Sequence, residues 1–158
     1  MTLTDTSRDH SFLAGLSESQ SDKLFAIAKE VSFAENDLIL KAGQQSQYFY
    51  LLLSGSVCVE VTARSYNVCI QSLGPGQAFG WSSLLDHHDT LFQVRAREDS
   101  TALCLDGEEL SAIMRNDPEL AAELLRRTLQ MVAGRVQATE TRLGELCGVR
   151  VRNVRKEC

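Results

Sequence analysis

Tyr48-Phe49-Tyr50-Leu51-Leu52-Leu53-Ser54-Gly55-Ser56-Val57-Cys58-Val59-Glu60-Val61-Thr62 is the stretch on which the fold turns. A run of aromatic and aliphatic residues stops at Ser54-Gly55, a pair that breaks extended chain, and a second run follows. In the second run Val57, Val59 and Val61 alternate with Cys58, Glu60 and Thr62, the period-two pattern of a half-buried strand. Short β-branched and aliphatic runs of the same kind fill Val31 to Leu105, with breaks at Asn36-Asp37, Ala42-Gly43 and Gly74-Pro75-Gly76. Strands in series, with helices only at the two ends, predict an α+β domain. Its core is a β-roll, a double-stranded jelly-roll barrel, flanked by an N-terminal helix and a long C-terminal helix.

Both helices announce their starts. Ser17-Glu18-Ser19-Gln20 reads as a capping box, and Leu24, Ile27, Ala28 and Val31 then recur at helical spacing. The C-terminal helix spans 117–146: Asn116 or Asp117 can cap it, and Pro118 suits a first position that needs no amide donor. One stripe of this helix holds Ala122, Leu125, Leu129, Val132, Val136, Thr139, Leu143 and Leu146 at spacings alternating between three and four, a heptad seam. A second strip, Leu120, Leu124 and Met131, lies on another face. A helix with two apolar faces can pack on its own barrel with one and on a second copy with the other. The seam therefore predicts a homodimer, with Leu125, Leu129, Val132, Val136, Thr139 and Leu143 at the contact. In a parallel pair Arg135 would lie near Glu140 of the partner subunit. The alternative is a helix packed only on its own domain.

Bulk properties narrow the function. At 158 residues the chain has the length of one domain, and its 44% hydrophobic and 23% charged content is ordinary for a globular protein. A net charge of −5 disfavours a broad footprint for nucleic acid or anionic lipid. The first residues are polar with no apolar signal segment, and no run reaches bilayer-spanning length, so a cytoplasmic location is expected. The organisation expected is a polar N-terminal segment 1–11, a domain 12–146, and a flexible basic tail 147–158 with Arg150, Arg152, Arg155 and Lys156. The five cysteines, Cys58, Cys69, Cys104, Cys147 and Cys158, show no metal-ligand spacing and read as plain thiols. His87 and His88, between Asp86 and Asp89, read as a solvated turn, and Asp106-Gly107-Glu108-Glu109 as a turn into a helix. Neither a metal centre nor a nucleophilic triad is suggested. No metal or cofactor, and no enzyme, is expected.

The segment from Tyr48 to Val57 resembles the strand–turn–strand signature of cyclic-nucleotide-binding domains. Leu73-Gly74-Pro75-Gly76-Gln77-Ala78-Phe79-Gly80 resembles the approach to that family's phosphate-binding cassette, and Val94-Arg95-Ala96 the strand after it. Asn36 and Gly43 stand where the family turns, usually on glycine; asparagine tolerates the left-handed geometry. The resemblance covers roughly Phe12 to Leu146. It implies a sensing module, grouped with the effector domains of catabolite-activator-like regulators. Such regulators carry a helix-turn-helix after the long helix, and Cys147 to Cys158 is too short for one, so direct DNA binding is not expected and output would pass through a separate protein.

The cassette departs from the family pattern. The resemblance implies backbone amides and an Arg on the cyclic phosphate, and a Glu after the Phe-Gly on the ribose. Here the Glu position is Trp81 and the Arg position is Thr90, followed by Leu91 and Phe92. Each charge-assisted contact is worth about 1.5–3 kcal/mol, so losing both costs about 3–6 kcal/mol. That is about two to four orders of magnitude in affinity. The ligand-site candidates are Phe79, Gly80, Trp81, Ser82, Ser83, Thr90 and Leu91. Three readings follow: Trp81 fills the vacated pocket, the residues take a different small ligand, or they bind cyclic nucleotide through altered contacts. If Phe92 and Val94 face the interior, Arg95 and Arg97 face out.

Overall fold

Ser17 closes its capping box: its Oγ accepts from the Gln20 amide at 3.2 Å and its own amide donates to Gln20 Oε1 at 3.0 Å. In the computed structural model, which describes residues 5–148, a short helix α1 (Asp5–Arg8) precedes the helix that this box starts, α2 (Glu18–Ile27). The helical spacing read through Val31 overshoots: α2 ends at Ile27, and Val31 pairs with Ala102 in a strand. Eight strands follow, β1 (Lys29–Phe33), β2 (Leu38–Leu40), β3 (Tyr48–Ser54), β4 (Val57–Thr62), β5 (Asn67–Leu73), β6 (Ala78–Phe79), β7 (Phe92–Ala96) and β8 (Ser100–Asp106). They form two antiparallel four-stranded sheets, ordered β1-β8-β3-β6 and β2-β7-β4-β5. Two helices close the domain, α3 (Gly107–Asn116) and α4 (Pro118–Leu146). Asp106 caps α3 and Asp117 caps α4, its Oδ1 accepting from the Leu120 amide at 3.1 Å. This is the roll that the sequence predicts.

The unbroken apolar run of β3 has a physical cause. Tyr50 and Leu52 point into the roll with Val57, Val59, Phe79 and Val94, while Phe49 and Leu51 point out beneath the helices with Leu24, Leu110, Leu120 and Leu124. A strand buried on both faces carries no alternation. β8 does the same, with Ala102 and Cys104 inside the roll and Leu103 and Leu105 under the helices. The Leu120 and Leu124 strip of α4 is thus fixed to its own domain. Each such leucine, fully buried, contributes about 1.5–3 kcal/mol. The hairpin between β3 and β4 needs Gly55, whose φ is 80°: a Cβ there would lie 2.6 Å from the Asp99 carbonyl oxygen. Asn36 is left-handed too, at φ 71°.

β4 departs from the half-buried pattern. Cys58 and Glu60, on the face opposite Val57 and Val59, are buried as well. Glu60 Oε1 accepts from Gln93 Nε2 at 2.6 Å, Arg95 Nε at 2.9 Å and Asn67 Nδ2 at 3.3 Å. Arg95 therefore lies on the outer face, as its parity predicts, and its Nη1 reaches the Asn36 carbonyl at 2.9 Å.

The expectation of plain thiols fails for Cys58 and Cys69, which form a disulfide between β4 and β5. Register explains it. The pairing runs Val59 to Gln71 but then Glu60 to Cys69, leaving Ile70 as a bulge. The extra residue moves Cys69 onto the face of Cys58, with the Cα atoms 6.0 Å apart, inside disulfide range. Cys104 is a buried thiol, pushed above its ordinary pKa by desolvation, and Cys147 is free and exposed.

The N-terminal segment packs onto the roll. His10 is buried, its Nε2 3.0 Å from the Leu52 carbonyl and its Nδ1 accepting from the Phe12 amide at 3.1 Å. Both bonds are satisfied only by the neutral ring with its proton on Nε2. The basic cluster from Arg150 to Lys156 lies outside the described residues.

Candidate functional site

Gly80 ends β6 and opens the site. Its φ is 82°, and a Cβ there would lie 2.4 Å from the Tyr48 carbonyl oxygen, so only glycine fits. The chain then makes one 3-10 turn, Trp81–Leu84, in the place of the cassette helix. Ser82 and Ser83 serve the turn. Ser82 Oγ accepts from the Ser46 amide at 3.0 Å, and Ser83 Oγ donates to the Gly80 carbonyl at 2.7 Å. Gln45 Nε2 donates to the Ser82 carbonyl at 2.9 Å and holds the turn against the β2–β3 loop.

Trp81 is half-buried. Its indole packs against the core beneath the helices and lies 5.3 Å from the His88 ring. The expected solvated turn at His87 and His88 is exposed, yet His88 also covers the Trp81 ring. Thr90 Oγ1 accepts from the Phe92 amide at 3.1 Å, and its carbonyl accepts from the Gly43 amide at 2.6 Å.

Of the candidate residues, Phe79, Gly80, Trp81, Ser82 and Thr90 border one cavity. Ser83 does not line it, and Leu91 points to solvent, 80% exposed. The cavity encloses about 20 Å³. That is close to the room one water needs.

The residue that the sequence analysis misplaced is Arg135. Read as facing a second copy, it is instead turned inward from α4 and only 7% exposed. Its Nε donates to Gln71 Oε1 on β5 at 2.7 Å, and its guanidinium carbon lies 5.7 Å from the centroid of the Phe92 ring, within cation–π range. It borders the same cavity as Trp81 and Thr90. Burial pulls its pKa down to about 10, which leaves it charged at neutral pH. Among the described residues no carboxylate pairs with it. The seam residues Leu125, Leu129, Val136 and Leu143 are exposed, Leu129 by 69%, and Val132 is partly so. Thr139, the polar member, satisfies its hydroxyl on the Arg135 carbonyl at 2.8 Å.

A roll of this topology, with a left-handed glycine leading into a short turn beneath a long C-terminal helix, defines a class. The profile of the cyclic nucleotide-binding domain matches residues 30–117, and the chain belongs to that family. It is similar to the cyclic AMP receptor protein of Thermus thermophilus, 31% identical over 118 residues, a match that covers 72% of this chain and 55% of that one. The chain thus spans little more than half the length of this relative. Among solved structures it resembles a candidate cyclic nucleotide-binding protein from Geobacter metallireducens GS-15, with a TM-score of 0.73 and 27% identity, covering 86% of this chain and 99% of that one. It also resembles the catabolite activator protein of Thermus thermophilus, with a TM-score of 0.68 and 25% identity, covering 87% of this chain and 63% of the other. Family members of this kind are regulatory binding proteins. No helix among the described residues is long and apolar enough to cross a membrane.

Proposed function

We propose that this chain is a regulatory module that has left the usual mode of cAMP binding, forms a homodimer through α4, and signals in the cytoplasm through a separate partner protein. The observation that carries the reading is the cavity beside Gly80. Trp81 and Thr90 occupy the positions of the Glu and Arg that the family resemblance calls for, and about 20 Å³ remains between them and Phe92. A purine nucleotide would have to displace the indole and bury its phosphate without the cassette Arg, a cost that surviving amides do not offset. On this reading the domain binds and relays, and catalyses nothing.

Dimerisation draws its support from the exposed seam. Leu125, Leu129, Val136 and Leu143 form an apolar stripe on a helix whose other apolar strip is already buried. Calorimetric titration with cAMP and cGMP tests the ligand side. Affinity no tighter than about 10⁻⁴ M is expected from the two lost contacts. Micromolar binding would overturn the reading.

A further inference from the structure

We propose that the Cys58–Cys69 bond is a thiol–disulfide exchange site, opened by a dithiol that reaches Cys69 from the groove between β5 and α4, and that its redox state sets how firmly α4 is held on β5. The site is covalent and independent of what the cavity beside Gly80 binds. For its reducing surroundings the inference rests on the cytoplasmic location proposed above, where a disulfide is as a rule transient and catalytic or redox-sensing.

The bond is placed for exchange more than for support. It joins two strands of one hairpin, 11 residues apart in sequence, and the ladder between β4 and β5 already closes that loop. β5 is also the edge strand of its sheet. The two sulfurs differ in access. Cys58 is wholly buried, whereas Cys69 is partly exposed and borders an open groove of about 520 Å³. The opposite wall of the groove is α4, through Gly134, Gln137, Ala138 and Thr141. A volume of this size admits a small dithiol or the tip of a protein loop that carries one.

Access fixes the order of steps. A thiolate of the dithiol attacks Cys69 Sγ, the bond between the two sulfurs breaks, and its electron pair leaves on Cys58, which takes up a proton. The second thiol of the dithiol then attacks the mixed disulfide, releasing Cys69 as a thiol and the dithiol as its own disulfide. Two electrons pass to the protein, and an oxidised dithiol reverses both steps. Register sets Cys58 opposite Arg95 on β7, so the departing sulfur has a cation across from it, part of whose charge Glu60 offsets.

The same stretch of β5 holds the helix. Gln71, two residues beyond Cys69, accepts from Arg135 of α4 at 2.7 Å. Between them Ile70 is the bulge that puts Cys69 on the face of Cys58. While the bond is closed, the bulge is pinned. Once it opens, the bulge is free to shift along the edge strand, and a one-residue change of register turns the affected side chains to the other face. Gln71 is then no longer a fixed anchor for Arg135.

The test uses the full chain in native buffer, equilibrated with graded ratios of reduced and oxidised dithiothreitol, then acid-quenched, alkylated and peptide-mapped by mass spectrometry. Cys58 and Cys69 should open together and re-close on reoxidation while the chain stays folded by circular dichroism. Hydrogen exchange of the α4 amides around Arg135 should rise at least tenfold on reduction. With oxidised glutathione, Cys58→Ser should form a mixed disulfide at Cys69 at least tenfold faster than Cys69→Ser forms one at Cys58. The reduced native chain needs no substitution, so a variant that fails to fold leaves the first two measurements decisive. A bond that opens only when the chain unfolds, equal reactivity of the two cysteines, or α4 exchange unchanged by reduction would overturn the proposal. Every arm is read on purified protein: a chain found outside the cytoplasm would sink the location and leave these results standing.

Discussion

Arg95 Nε donates to Glu60 Oε1 at 2.9 Å across β7 and β4, and the glutamate is the buried member, its side chain 4% exposed. Glu60 Oε1 also accepts hydrogen bonds from Gln93 and Asn67, so one carboxylate oxygen holds three donors on the outer face of the second sheet. Glu60→Ala strands a half-buried arginine and a buried amide. It should cost about 3–5 kcal/mol, the range for removing one partner of a buried pair. Glu60→Gln, which keeps an acceptor, should cost clearly less. Urea denaturation of the two variants checks the order.

Trp81 is packed on one side and open toward His88 on the other. Full burial would make Trp81→Ala worth about 3–5 kcal/mol; half-burial brings the expected cost to about 2 kcal/mol. Chemical denaturation reads it, and a change within about 0.5 kcal/mol would mean that the indole contributes surface and not core.

Val136 lies on the exposed seam of α4. Val136→Glu should leave the roll folded and convert a dimer into a monomer, since two carboxylates facing each other in a desolvated seam cost several kcal/mol. Light scattering distinguishes the outcomes. A native chain that is monomeric at micromolar concentration refutes the dimer.

His10 has a direction in pH. Its ring is neutral and both nitrogens are bonded, and burial holds its pKa below the usual histidine value. The unfolded chain therefore takes up a proton first as pH falls. Stability from this group is fully present above about pH 6.5 and is lost as pH drops toward the lowered folded value. His10→Gln can keep a donor and an acceptor but does not titrate. Its melting temperature should fall less between pH 7.5 and pH 5.5 than that of the native chain.

The roll, its turns and both major helix starts were legible because each rests on local chemistry. Ser17 and Gln20 form a cap within four residues, and Gly55 and Asn36 announce positive φ by their type. Gly80 was legible for the same reason. Arg135 was not. On the helix it stands beside the seam, and only the distance to Gln71 on β5 and Phe92 on β7 shows that it turns inward. The Cys58–Cys69 bond was hidden for a related reason: strict alternation places Cys69 opposite Val61, and a single bulge at Ile70 changes its face. Pairing register and the direction of a long side chain are settled by tertiary contacts, which spacing along one chain does not record.

Arg135 and Val136 are consecutive residues of α4, about 100° apart around its axis, one bordering the cavity and the other half-exposed. Thermodynamic reciprocity then constrains the whole molecule. Suppose a ligand of this domain favours one placement of α4 and changes the affinity of two copies for each other by some factor. Self-association must change the ligand affinity by that same factor. The half-saturation point for ligand would then drift with protein concentration, and dilution alone would retune the site with no change in any residue that touches the ligand.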